Sequence, residues 1–331
     1  MGFETQDVER KVLAILNTLQ DSREAVGSTV IAKKLKDMGI GLSERAVRYH
    51  LRLMDERGLT RLVGRRDGRL ITELGEAELK KAMVSHKVGL TLSRIEMLAF
   101  RTNIDLDKRV GMVPANLSFF RKEDFNKALK LMKPIFQAGL CVSDLVVVAN
   151  EGETLGDLVV PQGKTALATV CSIIVNGTLL KAGVPIDSKF GGILQIRNYQ
   201  PLRFVELIHY AGSSLDPSEI FIRANMTSVA KVAAEGNGEI LANYREIPAI
   251  CEPVAREVEA KLKRANLGGI YMIGSISEPV CEVPIDLNRV GVILIGGLNP
   301  VAAAAEGGVA SESAAMSILV DYQKLVKVSE L

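Results

Sequence analysis

Apolar residues recur at helical spacing from the start of the chain. Val8, Val12, Leu13, Ile15, Leu16 and Leu19 share one face and predict an amphipathic helix. Residues 21–27 are polar and end in Gly. Ser28 is placed to cap a second helix with Val30, Ile31 and Leu35 on one face, and Gly39 and Gly41 bracket its end. Ser43 is placed to cap a third helix, SERAVRYHLRLMDERG, which Gly58 stops. Its inward stripe is Ala46, Val47, His50, Leu51 and Met54, with His50 read as core rather than ligand. Two short strands follow, 59–63 and 69–72, with Asp67-Gly68 as the hairpin turn between them. Helix, helix, recognition helix and hairpin is the order of a winged helix-turn-helix. Thr72 is placed to cap one more helix through Met83, and residues 85–89 mark a junction.

Beyond the junction the period changes. Val- and Ile-rich runs alternate with helical stretches and Gly-rich turns. Strands are predicted at 145–149, 168–175, 193–196, 204–208, 269–273 and 290–295, and helices at 123–138, 220–234, 251–265 and 311–325. The chain thus divides into a winged helix over 1–87 and an α/β or α+β domain over 88–331, which is long enough to bury a large core. Two passages echo each other: DLVVPQGKTALATVCSIIVNGTLLKAGVP from Asp157 and CEVPIDLNRVGVILIGGLNPVAAAAEGGV from Cys281. Each has a Val-Pro, a buried strand, a small-residue turn (Asn176-Gly177 or Gly296-Gly297) and a Gly-Val, which predicts a duplicated half-domain. A ligand site then belongs between the halves.

Charge sharpens the N-terminal reading. The 331 residues hold 41 Lys+Arg and 39 Asp+Glu, a net charge of +2. Residues 1–87 have 17 basic and 13 acidic side chains, a net of +4, and the rest has 24 and 26, a net of −2. Eight arginines lie between Arg45 and Arg69, with three acids among them. Such a run also fits a solvated helix face. On a winged helix, however, the recognition helix presents its N-terminal residues to base edges. Ser43, Glu44, Arg45, Arg48, Tyr49 and Arg52 are therefore the candidates for base or phosphate contact, and Arg65, Arg66 and Arg69 for wing contact with the backbone or minor groove. Tyr49 fits a core position equally well.

Several chemistries are missing from the sequence. Gly163-Lys164-Thr165 lacks the earlier Gly of a P-loop, since that position is Leu158. Gly236-Asn237-Gly238 lacks a third Gly, and no GxSxG, HExxH or CxxC occurs. Four scattered cysteines predict reduced, buried thiols. Three histidines and no Trp make a metal centre an unpromising reading, and none is expected. No apolar run approaches the ~18–20 residues of a membrane span, and no signal segment opens the chain, so a cytoplasmic protein is expected. What remains suits a sensor. The turns Asn176-Gly177, Gly191-Gly192 and Gly296-Gly297 allow backbone amides to approach an anion. Lys164, Lys181, Lys189, Arg197 and Arg223 are available to supply charge to a carboxylate, although each also suits a solvated surface.

Three passages carry a resemblance over essentially the whole chain: GLTLSRIEMLAF (89–100), ATVCSIIVNGTLLKAGVPIDSKFGGILQI (168–196) and IGGLNPVAAAAEGG (295–308). Behind a winged helix they resemble the NrpR family of archaeal nitrogen-responsive repressors. That resemblance implies a non-enzymatic repressor of nitrogen-fixation and nitrogen-assimilation genes, bound to palindromic double-stranded operator DNA. It implies release by 2-oxoglutarate as effector, with no cofactor. It also implies a regulatory domain that forms a homodimer or higher homo-oligomer. Some members carry two such domains, and here one copy of VCSIIVNG is found, so pairing with a second NrpR-domain chain is a further expectation. Within the most family-like passage, Thr169, Cys171, Ser172 and Asn176, then Gly191 and Gly192, are the expected effector contacts. The reading from another class is a small-metabolite enzyme fused to a winged-helix docking module.

Overall fold

The computed structural model describes residues 3–22, 24–64, 68–81, 89–156 and 158–331. Two compact units result, Met1–Lys87 and Val88–Leu331. The first contains α1 (Phe3–Ser22), α2 (Ser28–Asp37), α3 (Glu44–Glu56), β1 (Thr60–Gly64), β2 (Gly68–Ile71) and α4 (Glu73–Lys81). Ile15, Leu16, Leu19, Ile31, Leu35, Val47, Leu51 and Met54 form its core, as the periodicity predicts. Ser43 caps α3 by accepting from the Ala46 amide at 3.2 Å, which contributes about 1 kcal/mol. Thr72 likewise accepts from the Gly75 amide at 3.0 Å. Ser28 is not a cap. It is the first helical residue of α2, and its hydroxyl donates to Glu44. β1 and β2 pair antiparallel as a wing. Residues 65–67, and the predicted junction except for Gly89, lie outside the described residues.

The second unit starts with α5 (Leu90–Arg101), β3 (Met112–Arg121), α6 (Phe125–Gln137), β4 (Leu145–Asn150), β5 (Thr154–Leu155), β6 (Leu158–Val159), β7 (Lys164–Val170) and α7 (Ile173–Lys181). β8 (Asp187–Arg197), β9 (Gln200–His209), α8 (Pro217–Arg223) and α9 (Val229–Glu235) follow. Then come β10 (Gly238–Pro248), α10 (Glu252–Arg264), β11 (Ile270–Ile276), β12 (Arg289–Ile295), α11 (Asn299–Glu306), β13 (Glu312–Asp321) and β14 (Val326–Lys327). The strands build two five-stranded antiparallel sheets, β13-β3-β7-β4-β14 and β11-β12-β10-β8-β9.

These orders contain a duplication. The run β3-α6-β4-β7-α7 matches β10-α10-β11-β12-α11, and within the sheets β3-β7-β4 matches β10-β12-β11. The strand after each half crosses over: β8 pairs with β10 of the second half, and β13 pairs with β3 of the first. Each half therefore completes the other's sheet, and one hydrophobic core runs through both. The register gives residue equivalence. Asn116 faces Thr169 as Asn243 faces Leu294, and Ser118 faces Leu167 as Arg245 faces Val292. The Cys171 amide donates to Pro114 O at 2.9 Å, as the Gly296 amide donates to Leu241 O at 2.9 Å. Cys171-Ser172 thus corresponds to Gly296-Gly297.

Several sequence expectations need correction. Asn176-Gly177 is not a turn but lies inside α7, and its counterpart is not Gly296-Gly297. The predicted strand 168–175 ends at Val170 and turns into helix, because a short apolar run has no period that separates the two. The predicted helix 311–325 is β13. Buried Met316, Ile318 and Val320 alternate with the less buried Ser317 and Leu319, the period of a strand, and pairing with β3 overrides helix-forming composition. The predicted helix 220–234 is broken into α8 and α9, with Asn225 in the left-handed region at φ 53° between them. The central strands β3 and β10 were not predicted.

Candidate functional site

On the winged helix, α3 buries Val47, His50, Leu51 and Met54 and presents the rest. Ser43, Arg45, Arg48 and Arg52 are exposed, and Tyr49 is 62% exposed, which removes it from the core. Arg48 pairs with Glu44 at 3.4 Å and Arg52 with Glu56 at 3.2 Å. Such exposed i,i+4 pairs are weak and exchange readily for a phosphate. Arg69 differs, since its Nε sits 2.7 Å from Asp55, whose other oxygen accepts from Thr60 at 2.6 Å. It braces the wing against α3 instead of projecting from it. Arg65 and Arg66 lie outside the described residues.

In the second unit a cavity of about 20 Å³ lies on the junction of the two halves. Both strand-to-helix turns reach it, through Cys171, Ser172 and Ile173 on one side and Gly297 and Leu298 on the other. α7 and α11 both begin at this cavity, so their positive dipole ends lie beside it, although the Ile174, Val175 and Asn299 amides already donate to Cys171, Ser172 and Gly296 O and Pro300 has no N–H. The paired asparagines Asn116 and Asn243 also line it. Asn243 accepts the Tyr210 hydroxyl at 2.5 Å and donates to the Ser172 hydroxyl at 3.2 Å. Asn116 accepts the Met316 amide at 3.0 Å.

The unusual group is Arg245, 1% exposed, on β10. Its Nε donates to Asn176 Oδ1 at 3.4 Å, its Nη1 to Tyr244 O at 3.1 Å, and its guanidinium lies over the Tyr210 ring at 4.7 Å. No carboxylate lies within 4 Å among the described residues. A buried guanidinium with no carboxylate in direct contact costs several kcal/mol. Cys171 beside it is pushed up to about 12 by burial, so its thiol stays protonated, a polar contact and no nucleophile. Tyr210 is likewise pushed up to about 12 by burial and acts as a hydroxyl donor. Burial also raises the Asp216 carboxyl, partly offset by the hydroxyl and amide of Ser218.

The predicted effector residues fare unequally. Cys171 and Ser172 line the cavity. Thr169 stands behind it and donates to Gly297 O at 3.1 Å. Asn176 holds Arg245 from behind and donates to Ser188 at 3.0 Å. Gly191 and Gly192 form no anion-binding turn, since they sit mid-strand in β8. A Cβ at Gly191 would meet the Tyr210 hydroxyl at 3.0 Å and Pro217 at 2.9 Å, and one at Gly192 would meet Glu206 O at 2.6 Å. Four of the five proposed sources of charge are engaged elsewhere, Lys164 with Glu312, Lys181 with Phe100 O, Lys189 with Asp187 and Glu246, and Arg223 with Glu219, and Arg197 is exposed at the end of β8, away from the cavity lining. Sequence reasoning missed Arg245, Tyr210, Asn116 and Asn243. The available signal was ILANYREI, a polar triplet inside an apolar run. Of the cysteines, which are all free, Cys171 is buried and Cys141, Cys251 and Cys281 are partly exposed.

A larger cleft, about 230 Å³, lies between α7, α10 and the segment after α5. Its Lys181 is held by Phe100 and its Thr178 hydroxyl by Ile174 O, and it contains no buried charge. The chemistry favours the smaller cavity. No group of three His, Cys, Asp or Glu side chains suited to a metal occurs among the described residues. Nor is any described helix long and apolar enough to cross a membrane.

Comparison with known proteins agrees with this architecture. Residues 88–327 match the family model of NrpR regulatory domains NRD1 and 2, and residues 13–79 match the ribonuclease R winged-helix domain. The global nitrogen regulator NrpRI of Methanosarcina mazei is 38% identical over 97% of this chain and 98% of its own length. The global nitrogen regulator NrpR of Methanococcus maripaludis is 32% identical over 95% of this chain but 54% of its own length. A crystal structure of a nitrogen repressor-like protein from Methanococcus jannaschii superposes with a TM-score of 0.60 at 28% identity, covering 73% of this chain and 98% of that one. These relatives are named as regulators and not as enzymes. A winged helix joined to a regulatory domain of this type, similar over its whole length to such regulators, places the chain in the NrpR family of nitrogen-responsive transcriptional regulators.

Proposed function

We propose that this protein represses nitrogen-fixation and nitrogen-assimilation genes by holding operator DNA on α3 and the wing, and that 2-oxoglutarate bound beside Arg245 releases it. The observation that carries the effector reading is a buried guanidinium with no carboxylate within 4 Å among the described residues, facing a cavity at which two helices begin. A dicarboxylate offers one carboxylate to Arg245 and Ser172 and the other to the α11 end, and its ketone suits the Asn243–Tyr210 pair.

The effector is several times larger than the 20 Å³ cavity, which holds roughly one or two waters. Binding therefore parts the walls. Those walls belong to different halves, so ligand and domain geometry are linked. A coupling of about 1–3 kcal/mol is typical of such linkage. In a dimer reading palindromic half-sites ~34 Å apart, an effector that prefers a dimer with another spacing weakens DNA binding by its differential affinity. Pairing with a second NrpR-domain chain fits the same scheme.

A gel-shift titration on a nitrogen-assimilation promoter, at fixed salt, with and without millimolar 2-oxoglutarate, tests this. Fixed salt is needed because phosphate contacts make affinity steeply salt-dependent. Specific binding weakened by 2-oxoglutarate is expected. Binding indifferent to it removes the effector assignment, and no specific binding removes the operator reading.

A further inference from the structure

Arg245 is not the only charge facing the cavity. Asp216, the residue before α8, also lines it. Its Oδ1 accepts from the Ser218 amide at 2.8 Å and the Glu219 amide at 3.4 Å, capping α8. No cation approaches its carboxylate within 4 Å among the described residues, and Arg245 forms no ion pair with it. A carboxylate and a guanidinium thus face one small polar space without touching.

Charge counting shows what fits such a pair. Two helix N-termini supply about half a positive charge each, and with Arg245 the site offers roughly two. A 2-oxo dicarboxylate brings two negative charges and balances the site when Asp216 is neutral. A 2-amino dicarboxylate of the same skeleton brings a net single negative charge, and it balances the site when Asp216 is ionised and accepts its ammonium. The neighbouring Asn116, Asn243 and Tyr210 offer oxygens that accept from a protonated amine, and the amide N–H groups of the two asparagines can donate to a ketone.

We propose that the cavity also binds 2-amino dicarboxylates of the L-glutamate class, with carboxylate on Arg245 and ammonium on Asp216, in competition with the 2-oxo acid. This rests on the effector reading of the cavity. Asp216 is then the residue that sets selectivity between amine and ketone. The regulator responds to the ratio of two molecules that differ at one carbon, not to one of them alone.

The test is calorimetric titration of the full chain with 2-oxoglutarate and, separately, with L-glutamate, followed by titration of each into protein loaded with the other. Asp216→Asn is measured alongside. Asn caps a helix about as well as Asp, so a thermal midpoint near that of the unaltered protein verifies its fold. The expected result is mutual competition in the unaltered protein. In Asp216→Asn, L-glutamate weakens by roughly tenfold or more while 2-oxoglutarate tightens by roughly threefold, the size of a lost or relieved charged contact. Two opposed shifts are not the signature of a merely structural cap. If 2-oxoglutarate binds and L-glutamate does not, the inference falls and the effector reading stands. L-glutamate binding equally to both proteins also overturns it. If neither ligand binds, both readings fall.

Discussion

The two halves of the regulatory unit share a frame and differ in what they place on it. Strand order, register and the hydrogen bonds at the strand-to-helix turns coincide. Both keep an asparagine at the same position, Asn116 and Asn243. The second half has Arg245 where the first has Ser118, whose hydroxyl pairs with that of Ser313 at 2.9 Å. The first half has Ser172 and Asn176 where the second has Gly297 and Val301. Gly297 is needed there, because a Cβ would stand 2.6 Å from Asn116 Nδ2 and 2.7 Å from Val170 O. Duplication thus accounts for the symmetric parts, the core and the facing helix ends. The asymmetric parts, one arginine held by the other half's asparagine, account for a site with a single cationic side chain. Function is concentrated where the halves disagree.

Changes at Arg245 should separate the two roles most widely. Arg245→Met removes a buried charge that stability does not need. We expect loss of roughly a hundredfold or more in 2-oxoglutarate affinity, for ~3 kcal/mol of charge-assisted hydrogen bonds. The thermal midpoint should be unchanged or raised. Calorimetry and a melt check both, and a large fall in the midpoint would mean that Arg245 is structural. Next in size is Gly297→Ala, expected to destabilise by about 1–3 kcal/mol through the contacts above, as read by denaturant unfolding of the regulatory unit within the full chain. Ser172→Gly makes the first half resemble the second. It should lower effector affinity by about 1 kcal/mol, one neutral hydrogen bond, with little effect on folding.

The winged helix provides a contrast outside the regulatory unit. Arg45→Ala with Arg48→Ala should weaken DNA binding and reduce the salt slope by about 1–2, while 2-oxoglutarate affinity is untouched. The smallest effect concerns pH. Burial lifts the Asp216 carboxyl, and a bound dianion lifts it further, so 2-oxoglutarate binding takes up a proton. Affinity is then fullest at acid pH and falls as pH rises through the raised Asp216 value. Calorimetry in buffers from about pH 5 to 8 should show that slope reduced in Asp216→Asn. Glu219 beside it is also raised by burial and accepts the Ala315 amide at 2.8 Å, and the charge of Arg94 opposes the rise at both carboxyls.

How far the sequence shows this depends on how each residue is buried. The winged helix is legible because α1, α2 and α3 each bury a single stripe at helical period. The regulatory unit is less so, because its helices and strands are buried on several sides. α7 buries Ile173 to Leu179 without interruption, so it reads as a strand followed by an Asn-Gly turn. Gly177 is there for packing, since a Cβ would meet Thr102 at 2.5 Å. β3 and β10 escape because Pro114 and Asn116, or Asn243, Arg245 and Glu246, interrupt their apolar pattern. Of those interruptions, Asn116, Asn243 and Arg245 line the cavity. Polar side chains buried for a ligand disguise the strand that carries them, so the residues hardest to place from sequence are those that matter most for binding.

The most direct test is a gel shift on one operator fragment at one salt concentration, comparing the unaltered protein with Arg245→Met across a 2-oxoglutarate titration. Equal operator affinity without effector, release of the unaltered protein at millimolar 2-oxoglutarate and no release of the variant are expected. Release of both proteins at the same effector concentration would contradict this, since the effector would then act somewhere other than the cavity between the halves.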